Sequence, residues 1–462
     1  MVYTSNMEQK EVIKGENNQR YLSLMILSQQ TQGLRKKHSG GRMMKKLLII
    51  LFTLGIVFSF SIPAMATDVS VEGSYRIRGW SDTNSPLVEE STSSSYYDQR
   101  LRVNVTFQVL EGLKVITRCD IMDGVMGEPA MTDPSEDDNI EFDKAYVEFM
   151  TGVGRVRAGI FSDNVWGTGF GDYEIFVAKI DFLTKLGDLY IYFNTLKSYE
   201  GDQGHALADR DDDAYTAALI YKSEGIDTGF LYKYLRYAHD PVGYGSSLGL
   251  KADVHVLTPY VKLTRGDLYV EGEIGWVADG ELDMSPLGMR NMDLEGFRAY
   301  LMAKYTIGPT YVGAFASWVQ GDDPETNDKV ENMLDSGVDW DPCLILFNDT
   351  CPTSLGHVAG ATTGTFMDNG WLYQFFVGAS PVDKLSVKGS VSHAFADEKP
   401  RNFVDDVYGT EFDVEAAYKI FDNLTYSAGF GYLAAGDFYK GTDKNNKIDD
   451  TYLFMNKLEV SF

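Results

Sequence analysis

From Arg100 to Val109 the chain reads RLRVNVTFQV, with Leu101, Val103, Val105, Phe107 and Val109 alternating against Arg100, Arg102, Asn104, Thr106 and Gln108. Period-two alternation is the mark of a strand with one apolar and one wet face. Residues 69 to 79 repeat it, with Val69, Val71, Tyr75 and Ile77 on one side and Ser70, Glu72, Ser74, Arg76 and Arg78 on the other. Such segments recur along the whole chain after residue 67, and none there is an apolar run of the roughly 18 residues a spanning helix needs. A chain bound for a membrane without spanning helices must hydrogen-bond its backbone by closing a sheet on itself.

The front of the chain carries an export address. Met43, Met44, Lys45 and Lys46 precede the apolar run Leu47 to Phe60, and Ala64-Met65-Ala66 supplies a small-residue cleavage site. That is the order of a cleaved signal peptide over residues 43–66, with Thr67 as the mature start. Residues 1–42 are polar and unpatterned. They read as an over-extended gene start, with an unusually long leader as the rival reading. No Cys follows the cleavage site, so no lipid anchor is expected.

Connections between strands alternate short and long. Short ones fall at Glu111-Gly112, Thr151 to Gly154, Leu186-Gly187, Glu224-Gly225, Arg265-Gly266, Ile307 to Pro309, Pro381 to Asp383 and Phe421 to Asn423. Long ones fall near 81–97, 123–139, 162–174, 199–212, 239–248, 279–292, 321–369, 396–407 and 435–450. The pattern predicts an all-β, antiparallel transmembrane barrel over 67–462 with about 18 strands. Sixteen is the alternative, because 140–150 and 226–238 alternate poorly. Aromatics near strand ends, among them Trp80, Phe161, Trp276, Trp318, Trp371 and Phe421, fit interfacial girdles.

The last strand, TYLFMNKLEVSF, sets Tyr452, Phe454, Leu458, Val460 and the terminal Phe462 on one face. It resembles the final strand of bacterial outer-membrane barrels, which implies that Phe462 belongs to a signal read by the barrel-assembly machinery. As an architecture the mature chain resembles Gram-negative outer-membrane porins. The stretch from Phe142 to Asp172 is similar to porin-type channels of metal- and sulfate-respiring anaerobes. The resemblance implies outer-membrane lipid and lipopolysaccharide as surroundings and a homotrimer as one assembly. It also implies a third outer loop folded into the lumen. Here that loop is SDNVWGTGFGDYE, with Asp163, Trp166, Asp172 and Glu174 as its constriction residues; a Gly-rich external turn is the plainer alternative.

The polar parity of the first five strands carries Arg76, Arg78, Arg100, Arg102, Arg118, Arg155 and Arg157, joined by Lys114 and Lys144. Adjacent strands lie about 4.8 Å apart, so these side chains form one basic wall. Such a wall sets pore selectivity, braces the lumen by ion pairs, or does both. Removing the nine basic and three acidic residues of 1–66 takes the net charge from −26 to −32, which argues against nucleic acid as a partner. The acidic clusters in outer loops lack calcium-loop spacing, and no metal is expected. Cys343 and Cys351 share one long loop in an exported chain and are expected to form a disulfide; Cys119 reads as a small strand residue. No HExxH, CxxCH, phosphate or dinucleotide loop is present, so neither an enzyme nor a cofactor is expected.

The leading expectation is a passive channel for small hydrophilic solutes and ions. A substrate-selective, anion-preferring channel and a barrel sheathing a multihaem cytochrome are the alternatives. Strand signals begin within a few residues of Thr67, leaving no room for a plug domain.

Overall fold

A computed structural model describes residues 68–84, 87, 93–127, 140–201, 210–239, 249–350, 355, 357–358 and 361–462. The leader, the signal peptide and Cys351 lie outside these residues. Eighteen strands make one antiparallel barrel. The first nine are β1 Asp68–Thr83, β2 Ser94–Leu110, β3 Leu113–Val125, β4 Ile140–Met150, β5 Arg155–Asp163, β6 Ile175–Leu186, β7 Leu189–Tyr199, β8 Asp212–Ser223 and β9 Ile226–Tyr237. The second nine are β10 Lys251–Arg265, β11 Leu268–Asp283, β12 Phe297–Ile307, β13 Thr310–Val319, β14 Gly370–Val382, β15 Leu385–Phe395, β16 Val407–Phe421, β17 Leu424–Ala435 and β18 Thr451–Ser461.

Closure is made by β1 against β18, in register from Ser74 opposite Ser461 to Thr83 opposite Tyr452. Phe462 completes the seam. Its carbonyl accepts from the Gly73 N–H at 2.8 Å and its N–H donates back at 3.0 Å. Its ring lies where a side chain on Gly73 would stand, so a Cβ there would collide with the closing residue. The strand count is 18, and all eight short turns fall where the sequence places them. Several carry a glycine at positive φ, such as Gly112 at 78° and Gly225 at 71°, the backbone state a tight hairpin needs.

The alternation sorts outside from inside. Val71, Ile180, Leu301, Val414 and Phe430 are exposed on the outer face, while charged residues of opposite parity face the lumen. An apolar exterior around a polar interior reverses the arrangement of a soluble protein and matches lipid. Val105 has outward parity but is only 6% exposed, against 54% for Val71 across the seam between β1 and β2; neighbouring side chains cover it. Trp80 and Phe161, read as girdle aromatics, are instead buried. Trp80 shares parity with Arg76 and Arg78, and its Nε1–H donates to Asp98 inside the barrel.

Both poorly alternating segments have a physical cause. In β4 the register shifts opposite Arg118 and Cys119, so that Asp143 is the extra residue. A bulge of this kind re-aims a side chain, and Asp143 joins Lys144 among the groups held to the basic wall. In β9 the inward residues Leu231 and Leu235 are apolar as well as the outward ones, because that lumen sector is not simply wet. Leu235 packs on a buried cluster that includes Val254, Leu282, Leu294 and Val330.

Candidate functional site

Every Arg of the predicted wall is brought to one side of the lumen, and each has an acidic partner there. Arg78 donates from Nε to Asp98 at 2.9 Å, and Arg76 reaches Asp98 and Asp123 at 4.0 and 3.8 Å. Arg100 lies between Asp120 and Asp123 at 3.7 and 3.8 Å. Arg102 grips Asp120 with two N–H groups, Nε at 2.7 Å and Nη2 at 2.6 Å. Arg118 donates to Asp143 at 2.8 Å, Arg155 faces Glu148 at 3.8 Å, and Arg157 holds Asp181. Lys114 also faces Glu148. The wall is therefore an interleaved ladder of cations and carboxylates, not a basic sheet. The acids were legible, since Asp98 precedes Arg100 by two residues and Asp120 follows Arg118 by two, on the same parity.

Loop residues 164–174, between β5 and β6, reach the opposite wall. Trp166 donates its indole N–H to the Thr258 carbonyl of β10 at 2.9 Å and meets the Tyr260 ring edge-on. Thr168 donates its N–H and hydroxyl to Glu273 of β11, at 2.8 and 3.0 Å, and Glu273 pairs with Arg298 of β12 at 3.3 Å. Thr168 also caps the short helical turn Gly169–Gly171 by accepting from the Phe170 N–H. Gly167 and Gly171 are needed because a Cβ on either would strike the Glu273 carboxylate.

The four residues expected to narrow the pore have different duties. Glu174 bridges to the ladder, at 3.1 Å from Lys144 and 3.7 Å from Arg118. Burial raises its carboxyl, but hydrogen bonds from Ser162 and Lys144 outweigh it and the net shift is downward. Asp172 accepts from the Trp166 N–H at 2.9 Å and braces the loop itself; burial pushes its carboxyl up. Trp166 is the wall anchor. Asp163 sits at the end of β5 and neutralises Lys179 and Lys233, at 2.8 and 2.7 Å.

The largest departure from expectation is the loop between β13 and β14, residues 320–369, an outer loop by its sequence pattern. Its described residues enter the barrel. Ile345, Leu346 and Phe347 are fully buried and Leu344 nearly so, in a cluster with Leu372, Phe376, Leu433 and Leu453 of the wall. Glu411 of β16 accepts from the N–H groups of Ile345 and Leu346 at 2.7 and 2.8 Å. Trp340 meets Phe170 edge-on, their centroids 5.0 Å apart, and Phe170 stacks on Tyr300 at 5.2 Å. The loop thus packs on the tip of the 164–174 loop, and Arg298 donates to the Asp335 carbonyl as well as to Glu273. The available signal was the apolar run Leu344-Ile345-Leu346-Phe347 inside an otherwise acidic loop. Such a run does not stay in water.

An acidic edge of this second loop turns toward the ladder. Asp339 accepts from the Glu174 N–H, Asp341 accepts from the N–H of Asp349 at 3.0 Å, and Arg78 donates to the Thr350 carbonyl at 3.3 Å. Burial and then its neighbours Asp341 and Asp339 push the Asp349 carboxyl up to about 6; burial raises Asp339 and Asp341 too. Cys343 is a buried free thiol beside Ser392, 3.3 Å away, and its expected partner Cys351 lies outside the described residues. Cys119 is likewise a buried free thiol on β3.

Comparison with solved structures decides the fold. Pseudomonas aeruginosa OccK8 (OprE) superposes with a TM-score of 0.51 at 13% identity, over 86% of this chain and 98% of that one. Acinetobacter baumannii OccAB1 gives 0.52 at 13% identity, over 86% and 96%. The P. aeruginosa outer membrane protein OpdK gives 0.50 at 11% identity, over 86% and 99%. The fold is that of Gram-negative outer-membrane porins. With its apolar outer face, it is the fold of a barrel seated in the outer membrane. No protein-family profile and no curated protein matches the sequence.

Proposed function

We propose that this chain is an outer-membrane porin whose water-filled path runs between the Arg–Asp ladder and the acidic edge of the two inward loops. It passes small hydrophilic solutes and ions by passive diffusion and favours those that are dipolar or charged. The observation that carries this reading is the approach of the loops' acidic edge to the ladder, with Glu174 3.7 Å from Arg118 and the Thr350 carbonyl 3.3 Å from Arg78. Unlike charges set side by side along a lumen align a dipolar solute and replace part of its hydration. The 164–174 loop narrows the path, and the 320–369 loop fills the sector from β12 to β18. A lumen filled by the chain's own segments speaks against a sheath around a cytochrome. Seating in lipid and lipopolysaccharide, trimer formation and recognition of Phe462 by the assembly machinery belong to the same proposal.

Planar-bilayer recording tests it. The purified protein should give discrete ion-conducting steps. Replacing Arg100 and Arg102 by Gln removes two cations and leaves Asp120 and Asp123 without these partners. The reversal potential in a KCl gradient should move toward cation preference while the pore stays open. An unchanged reversal potential would show that the ladder does not set selectivity, and an absence of any conductance would end the channel reading.

A further inference from the structure

Between the 164–174 loop and the wall from β5 to β10 lies a second chamber of about 550 Å³. Its lining shares Arg157 and Glu174 with the ladder side and otherwise differs from it. Ile220 of β8, Leu231 and Leu235 of β9, Val254 and Val256 of β10 and Leu334 of the long loop all face it. A water-filled diffusion path has no need of an apolar lumen wall, and wetting one is unfavourable. The volume is that of a small-molecule pocket, and mostly apolar walls with a few placed polar groups are the usual composition of one.

The polar groups at its floor narrow the choice of occupant. Lys179 and Lys233 both hold Asp163, at 2.8 and 2.7 Å, and Asn194 donates to the same carboxylate at 3.1 Å. Arg157 is held by Asp181 and Arg298 by Glu273. Each charge is therefore spent on another charge of the protein, and an ionised solute would have to break a pair to find its own. Among the described residues, three polar atoms of the lining are left without a hydrogen-bond partner: Arg298 Nε and Asp335 Oδ2, whose side chains already pair with each other at 4.0 Å, and the neutral Asn194 Oδ1. An ammonium has three N–H donors; Lys233 spends two of them on Asp163 and Asn164, which leaves a third. Asn194 Oδ1 has no hydrogen-bond partner. An acceptor beside an ammonium donor suits a hydroxyl, which can give and take a hydrogen bond at once.

We propose that this chamber binds a small uncharged solute with an apolar body of one or two rings and a single hydroxyl. The proposal rests on the channel reading only in that the solute enters through the lumen. It assigns the chamber a substrate class that the ladder, with its opposed charges, does not favour. Val254, Val256, Leu231 and Leu235 would cover the rings, and Lys233 and Asn194 would hold the hydroxyl.

The probe is 4-bromobenzyl alcohol, with 4-bromobenzoate as a charged counterpart of the same shape. Titration calorimetry on the detergent-solubilised full chain should show saturable binding of the alcohol at least ten-fold tighter than of the benzoate. The anomalous signal of bromine in soaked crystals should fall inside the chamber. Val256→Asn and, as a loop substitution that leaves the wall intact, Leu334→Asn should each weaken alcohol binding ten-fold or more. Bromine density elsewhere, preference for the benzoate, or alcohol affinity in the two variants unchanged from that of the unsubstituted chain would overturn the proposal. Bilayer conductance of the same preparation separates the two readings, because ion current without alcohol binding removes the chamber proposal and leaves the porin.

Discussion

The inward seating of residues 320–369 can be undone with two small substitutions. Ile345 and Leu346 are fully buried in the lumen, and their backbone N–H groups are held by Glu411. Ile345→Ala with Leu346→Ala keeps those N–H donors and removes only apolar volume. Large-to-small changes at buried sites cost about 2–5 kcal/mol each, so the pair should weaken loop docking by roughly 4–10 kcal/mol if the two add. Burial of the four side chains Leu344 to Phe347 supplies about 6–12 kcal/mol at ~1.5–3 kcal/mol each, an upper bound because the undocked loop already hides some surface. The perturbation is thus comparable to the whole apolar anchorage. The barrel wall, whose strands pair independently of this loop, should survive, as checked by heat-modifiable migration in a denaturing gel. Single-channel conductance should rise severalfold and its noise increase as the loop leaves the lumen. Unchanged conductance in a fully folded variant would refute the idea that these residues hold the loop across the pore.

Acidity should act on the same loop. Burial pushes the Asp368 carboxyl up to about 7 and that of Asp349 to about 6, so the docked loop binds protons that a free loop would release near pH 4. Their contribution is full below that pH and is lost as pH rises through about 6 to 7; conductance at pH 5 should therefore be lower and quieter than at pH 8, and Asp368→Asn should flatten the dependence. The outward face is tested by a charge in lipid: Val71→Arg should cost roughly 2–4 kcal/mol if it lies near the midplane and reduce assembly, while Ser70→Arg on the lumen parity should assemble normally. Equal yields of folded barrel would reverse the facing assignment.

What could be read from the sequence was what local pattern determines. Eight turns, the strand number and the lumen parity of seven arginines follow from period two and from glycines at hairpins, which depend on a few adjacent residues. The inward setting of Trp80 is readable too, since it shares parity with Arg76 and Arg78. Depth is different. Val105 has the right parity for lipid and is still covered, because cover depends on which side chains the neighbouring strands happen to carry. Asp163 belongs to the narrow section only as an acidic residue of the third loop that the porin resemblance implies; its partner Lys233 comes from a strand far along the chain. The inward turn of 320–369 depends on contacts with β12 to β18 that no local period reports.

Burial separates the ion pairs that hold the architecture from those left free to act on a solute in the proposed channel. Glu273 is fully buried in its pair with Arg298, and that pair ties together the 164–174 loop, the 320–369 loop and the wall. Removing one partner of such a pair costs about 3–5 kcal/mol, because the other is left charged and dry. The ladder is mixed. The side chains of Arg100 and Arg102 are 24% and 25% exposed and that of Asp123 is 45% exposed, but Arg118, Asp143 and Asp181 are buried. Where water reaches a pair, as at Arg100 and Asp123, it contributes about 0–1 kcal/mol and costs the fold as little, whereas Arg118–Asp143 is as dry as Arg298–Glu273 and braces the wall. A solute entering the lumen meets the ladder in a confined space beside a low-dielectric wall, where the same charges interact more strongly than in bulk water. The wetter rungs, Arg100 and Arg102 beside Asp123, are therefore where a charge matters least to stability and, on the proposed function, most to a solute.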